Sequence, residues 1–76
     1  MATVTLYTKP DCLLCDDARE ALERVHGRRP FEMRVVDITT DEQLNERYRE
    51  RIPVIAIDGA DAFDYHFDER ELERML

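Results

Sequence analysis

Two cysteines stand where the sequence changes its period, and that junction limits the folds open to the chain. Before it, Thr3-Val4-Thr5-Leu6-Tyr7 alternates polar and apolar residues and is rich in β-branched side chains, the pattern of a strand. Lys9-Pro10-Asp11 breaks the pattern: Pro10 fixes its own φ and pushes Lys9 toward an extended conformation. From residue 12 to about residue 26 the apolar residues Leu14, Ala18, Ala21, Leu22 and Val25 recur at spacings of three and four, which predicts an amphipathic helix. Gly27 is a natural stop for it. Residues 31–37 alternate again as a second strand. A strand, a helix and a strand of these lengths predict a βαβ unit with parallel strands and a right-handed crossover.

The second half completes a sheet. Thr39-Thr40-Asp41-Glu42-Gln43 carries a helix start, with either Thr39 capping and Glu42 reaching back, or Thr40 capping with Gln43. Leu44 and Tyr48 lie one turn apart, giving a short helix with a narrow apolar face that must end before Pro53. Residues 53–57 are almost wholly apolar, as in a buried strand, and Asp58-Gly59 is a turn signal. Residues 62–67 alternate and should pair back as a hairpin strand. Asp68 opens a last helix with Glu71 as its capping partner, and Leu72, Met75 and Leu76 supply its inner face. The order is βαβαββα in one domain over residues 1–76, an α/β chain with a four-stranded mixed sheet and helices on both faces.

Composition narrows the function classes. The chain has 76 residues and a net charge of −7, with 38% of its residues charged. A domain this small buries only ~60% of the surface its unfolded chain exposes, so the core must be thin. Arg24, Arg28, Arg29, Arg34, Arg47, Arg49 and Arg51 are scattered among acids, with no basic patch for nucleic acid. No apolar run approaches the ~20 residues that span a bilayer, and the N-terminus lacks the layout of a signal peptide. A cytoplasmic location without membrane contact is therefore expected. In a reducing compartment a close cysteine pair more often does redox chemistry or binds metal than staples a fold.

Cys12 and Cys15 are three residues apart, on one face of the expected first helical turn, so their sulfurs can approach to disulfide distance. A helix start offers unpaired N–H groups and a partial positive charge, and both favour a thiolate. Three readings fit the pair: a dithiol oxidoreductase, a zinc or shared iron–sulfur centre, or two small buried cysteines without chemistry. A structural zinc site wants four nitrogen or sulfur ligands, and the additions available are His26 and His66. A formed helix would hold His26 ~16 Å from Cys15, at 1.5 Å per residue, which excludes a site made of Cys12, Cys15 and His26. A cluster shared between two chains remains. A Cys-x-x-Cys beside a βαβ pattern ranks redox chemistry first, with no metal site of the chain's own.

These features together resemble a known family. "LYTKPDCLLC" before a helix, "RIPVIAIDG" later and a closing "FDERELERML" are similar, over nearly the whole chain, to the glutaredoxin-like branch of the thioredoxin fold. The resemblance implies sheet order 2-1-3-4, with the third strand antiparallel to the first. It implies a small thiol–disulfide oxidoreductase in which Cys12 is the exposed nucleophile and Cys15 the resolving thiol. Pro53 would be a cis-proline facing the cysteines, and Ile52 would offer backbone hydrogen bonds to a bound peptide or thiol. Lys9 would favour the thiolate and meet a glutathione carboxylate. No tightly bound cofactor is implied; glutathione, another low-molecular-weight thiol or a reductase would restore the dithiol. The substrate would be a protein or small-molecule disulfide, and the chain would act as a monomer in cell redox homeostasis and electron transport.

Three departures from the family pattern sharpen this. The usual Cys-Pro-Tyr-Cys is Cys12-Leu13-Leu14-Cys15, which leaves Leu13 as an apolar rim toward a partner and Leu14 for the helix core. The usual Gly-Gly turn before the last helix is replaced by Tyr65-His66-Phe67-Asp68, with Asp68 either capping that helix or meeting the glutathione amine, and His66 at the edge or as a wall of the thiol site. Asp11, Asp16 and Asp17 crowd the cysteines and oppose both a thiolate and an anionic substrate, although Asp16 and Asp17 also suit the helix dipole.

Overall fold

A computed structural model describes residues 2–76; Met1, where the expected 1–76 domain begins, lies outside them. Strand β1 (Thr3–Thr8) forms early in the chain and occupies the middle of a four-stranded sheet of order β2-β1-β3-β4. It pairs parallel with β2 (Glu32–Asp37) and antiparallel with β3 (Val54–Ile57), and β3 pairs antiparallel with β4 (Ala60–Asp64). Helix α1 (Leu13–Arg28) connects the two parallel strands, α2 (Glu42–Tyr48) leads to β3, and α3 (Glu69–Met75) closes the chain. This is the βαβαββα order and strand arrangement of a thioredoxin-like fold.

Alternation along β1 explains the two packed faces. Val4 and Leu6 are buried with Ile55 against Ala18, Leu22 and Val25 of α1, Leu72 of α3 and the loop residue Phe31. Tyr7 points the other way with Val54, and joins Tyr48 of α2, Ile38, Ile52 and Cys15 in a second cluster at the end of the sheet. No helix among the described residues is long and apolar enough to cross a membrane.

The hairpin between β3 and β4 follows its turn residues. Asp58 (φ 51°) and Gly59 (φ 86°) both lie in the left-handed region that a tight two-residue hairpin loop requires. Asp58 also accepts the Thr3 N–H on its carboxylate at 2.9 Å and returns its own N–H to the Thr3 carbonyl at 2.8 Å, which ties the loop to β1.

Five local expectations need correction. Cys12 is the N-cap of α1 and not part of its first turn, with an extended backbone (φ −109°, ψ 107°). Gly27 does not stop α1, which runs on to Arg28 and ends at an extended Arg29. The residue before Pro30 is driven out of the helical region, so the proline sets the end. Neither Thr39 nor Thr40 caps α2: both belong to a 3₁₀ turn (Ile38–Thr40) that Asp37 caps. Asp41 caps α2 instead, accepting the N–H groups of Gln43 (2.9 Å) and Leu44 (3.3 Å). The fourth strand stops at Asp64, because Tyr65 turns to φ 64°. Met75 is largely exposed, so Leu72 alone of α3 is fully buried.

Candidate active site

The cysteines lie where β1 hands over to α1. After Thr8 the chain turns through Lys9, Pro10 and Asp11, and Asp11 sits at φ 61°, a conformation that aspartate tolerates better than most residues. That turn delivers Cys12 to the cap position. There its Sγ accepts the backbone N–H of Cys15 at 3.2 Å, the place a serine, threonine or aspartate oxygen usually fills. The Cys12 carbonyl accepts the Asp16 N–H at 3.1 Å and opens the helical ladder. The spacing Cys-x-x-Cys thus has a direct structural use: the third residue on donates its amide to the first residue's sulfur.

The two thiols have different environments. Both are free; Cys12 is half-buried and Cys15 is buried, with 1% of its surface exposed. Burial pushes the Cys15 thiol above its ordinary value, and a hydrogen bond with Cys12 adds to this. The Thr8 side chain and the Lys9 backbone pull the other way. The site therefore holds one accessible sulfur and one shielded sulfur that keeps its proton.

Around them stand the other residues singled out in the sequence. Leu13 is 79% exposed and Leu14 41%, so the middle pair forms an apolar rim, with Leu14 further out of the core than its helical spacing predicts. Asp11, Asp16 and Asp17 are exposed, and so is Lys9, which forms no ion pair among the described residues. The Ile52-Pro53 peptide bond is cis, and both residues are buried. The Ile52 N–H already donates to the Tyr48 carbonyl at 3.1 Å, so it reaches a bound chain only by breaking that bond. Asp68 caps α3, its carboxylate accepting the N–H groups of Arg70 (2.8 Å) and Glu71 (3.4 Å). The second and third amides of α3 are thereby already satisfied, and Asp68 takes the capping role of the two offered for it.

Sequence reasoning missed the part played by Tyr65. Its left-handed backbone costs a non-glycine residue ~1–2 kcal/mol. Two hydrogen bonds hold it there, from its N–H to the Arg51 carbonyl (2.8 Å) and the Pro53 carbonyl (3.0 Å). Its ring meets His66 edge to face at 4.7 Å, and both side chains line an open groove of about 270 Å³ that also touches Leu14, Asp17, Ala18, Pro53 and Phe67. The nearest signal in the sequence was the replacement of glycines before the last helix. Also unforeseen was the stack of Tyr7 on Tyr48, with centroids 4.6 Å apart. Tyr48 donates its hydroxyl to Asp61 at 3.1 Å, and burial, followed by that hydrogen bond, pushes its pKa above the ordinary value. Among the described residues no three His, Cys, Asp or Glu side chains converge as a metal site would require. His26 is engaged elsewhere, against the ring of Phe31 at 4.9 Å.

Comparison with known proteins agrees with this arrangement. Residues 3–76 match the family described as Glutaredoxin-like domain (DUF836). The chain is similar to the structural-genomics protein XcR50 of X. campestris, at 35% identity over 95% of this chain and 92% of that one, with a TM-score of 0.78. Protein Ne2328 of Nitrosomonas europaea superimposes with a TM-score of 0.85, at 23% identity over 99% of this chain and 91% of that one. A mutant thioredoxin from Halobacterium salinarum shares the fold, with a TM-score of 0.71 at 16% identity over 97% of this chain and 70% of that one. The chain belongs to the glutaredoxin-like family of the thioredoxin fold.

Proposed function

We propose that the chain is a thiol–disulfide oxidoreductase working through Cys12 and Cys15. The observation that carries this reading is the asymmetry of the pair: an accessible Cys12 sulfur, hydrogen-bonded by the Cys15 amide at 3.2 Å, beside a buried Cys15 thiol. As a thiolate, Cys12 attacks one sulfur of a substrate disulfide. That S–S bond breaks, its other sulfur leaves and takes a proton, and a mixed disulfide joins Cys12 to the substrate. Cys15 then loses its proton and attacks Cys12 Sγ. The second substrate thiolate departs and is protonated, and a Cys12–Cys15 disulfide remains. Two electrons and two protons have passed from the dithiol to the substrate.

The remaining residues have supporting parts in this scheme. The Thr8 side chain and the Lys9 backbone pull the Cys15 pKa down and so ease its deprotonation in the resolving step. Leu13, Ile52 and Pro53 form the surface next to which a substrate disulfide must lie, and Lys9 supplies a cation three residues before Cys12. Reduction of the Cys12–Cys15 disulfide falls to a low-molecular-weight thiol or to a reductase. A monomer in the cytoplasm, where such a pair is kept reduced, is the setting that suits it.

The test is Cys15→Ser. Without the resolving thiol, Cys12 should accumulate a mixed disulfide that a reductant releases, while Cys12→Ser should trap nothing and lose all exchange. A parent protein that reduces no disulfide, together with a Cys15→Ser variant that traps none, overturns the reading.

A further inference from the structure

The geometry points to a polypeptide disulfide as the substrate, one bearing a large apolar side chain and a cationic residue beside the attacked cystine, in preference to an anionic disulfide such as that of glutathione. This rests on the exchange chemistry proposed above and adds what the site selects.

Exposed apolar surface is concentrated at the cysteines. Among the described residues five large hydrophobic side chains are substantially exposed, and three of them, Leu13, Leu14 and Tyr65, surround the site. Apolar surface gathered at one place marks a docking position more than scattered single residues do. The groove between Leu14, Pro53, Tyr65 and Phe67 has a volume of about 270 Å³. A dry cavity of ~150 Å³ suffices for a benzene ring, so this groove takes one large side chain. Tyr65 is held beside it in a conformation that glycine would adopt freely, and the two carbonyls that fix its N–H belong to Arg51 and Pro53. A residue kept in such a conformation at a site is a pointer to use of its side chain.

Charge gives the second half of the specificity. Three carboxylates, Asp11, Asp16 and Asp17, face one ammonium, Lys9, and Asp17 itself lines the groove. At the far end the groove is lined by Arg24 and by Glu69, which meets Arg24 at 3.4 Å and Arg28 at 2.9 Å, so with Asp17 the groove itself carries two carboxylates to one guanidinium. Two of the amides at the start of α3, those of Arg70 and Glu71, which could have received a carboxylate, are taken by Asp68. An anionic ligand therefore meets net negative charge, while a lysine or arginine next to the cystine meets complementary charge, which acts mainly on association.

The test is single-turnover oxidation of the reduced protein by four disulfides: a Phe-Lys-Cys peptide homodimer, a Ser-Glu-Cys peptide homodimer, glutathione disulfide and uncharged hydroxyethyl disulfide. The Phe-Lys-Cys dimer should react at least about tenfold faster than glutathione disulfide and the Ser-Glu-Cys dimer, with the gap narrowing in high salt. In Tyr65→Ser and in Asp17→Asn, the rate with the Phe-Lys-Cys dimer relative to hydroxyethyl disulfide should fall several-fold. If hydroxyethyl disulfide is reduced while glutathione disulfide matches or beats the Phe-Lys-Cys dimer, the specificity is overturned and the exchange chemistry stands. If no disulfide oxidises the protein, both fall. The comparison among substrates needs only the parent protein, so a variant that fails to fold leaves it decisive.

Discussion

Helix α3 is the last element of the chain and has seven residues, too few to hold a helix in water by itself. Two kinds of contact fasten it to α1. One is Leu72, fully buried among Val25, Leu22 and Phe31. The other is a set of ion pairs: Glu69 with Arg28 (2.9 Å) and Arg24 (3.4 Å), and Glu73 with Arg28 (3.2 Å). Replacing a buried leucine by alanine costs ~2–5 kcal/mol. The ion pairs are open to solvent, with about half of the Arg28 side chain exposed, and contribute only a fraction of that. At ~0.05–0.15 kcal/mol per residue, a chain of 76 residues has ~4–11 kcal/mol in total. Leu72→Ala should therefore remove a large share of the stability and, at ~3 kcal/mol, lower Tm by ~12–24 °C. Urea unfolding of Leu72→Ala and Arg28→Ala, each in low salt and in 1 M NaCl, measures both contributions. Leu72→Ala should lower the midpoint strongly at either ionic strength, and Arg28→Ala should lower it slightly and only in low salt. If Arg28→Ala proves as costly as Leu72→Ala, or Leu72→Ala costs under ~1 kcal/mol, the argument that burial holds α3 is refuted.

The two glycines should respond oppositely to alanine. Gly27 lies inside α1 with open space around it, so Gly27→Ala should stabilise by ~0.5–1 kcal/mol in thermal unfolding, whereas Gly59→Ala, at φ 86°, should destabilise by ~1 kcal/mol or more. On the acid side, the guanidinium groups beside Glu69 and Glu32 hold these carboxyls below their ordinary 4.5. Their contribution is present above that value and lost as pH falls through the lower folded values, so urea midpoints should drop below about pH 4.5 and less so in Glu69→Gln. On the alkaline side, burial first, then the hydrogen bond with Cys12, raises Cys15 above its ordinary 9.0. Its contribution is full below 9.0 and disappears as pH rises through the raised value; correspondingly, iodoacetamide at pH 8 should label Cys12 well before Cys15, as mass spectrometry of the peptides will show.

Much of the fold was legible because several signals agreed at each element. Period-two and period-3.6 segments meet at Pro10, Asp58-Gly59 marks the hairpin, and Asp68 marks the last helix, so the order of elements followed from residue pattern alone. The closeness of the cysteine pair was legible for the same reason, since it sits at the strand-to-helix junction, although Cys12 caps the helix and does not enter its first turn. The misreadings arose where two residues could do one job. Gly27 can end a helix, but Pro30 two residues past the last helical residue governs where α1 stops. Thr39, Thr40 and Asp41 can all cap, and the Thr40 hydroxyl is instead spent on the Asp37 carbonyl at 2.7 Å. Tyr65 was opaque because its conformation is imposed by tertiary hydrogen bonds to Arg51 and Pro53, against its own local preference.

The Tyr7–Tyr48 stack has a practical consequence. The chain contains no tryptophan and three tyrosines, two of them in this stack, packed in the same cluster as Cys12 and Cys15. Two rings held 4.6 Å apart in a fixed chiral arrangement make a coupled chromophore. Formation of the proposed Cys12–Cys15 disulfide next to them should change their surroundings, so the near-ultraviolet circular dichroism of the unlabelled protein should report on its redox state.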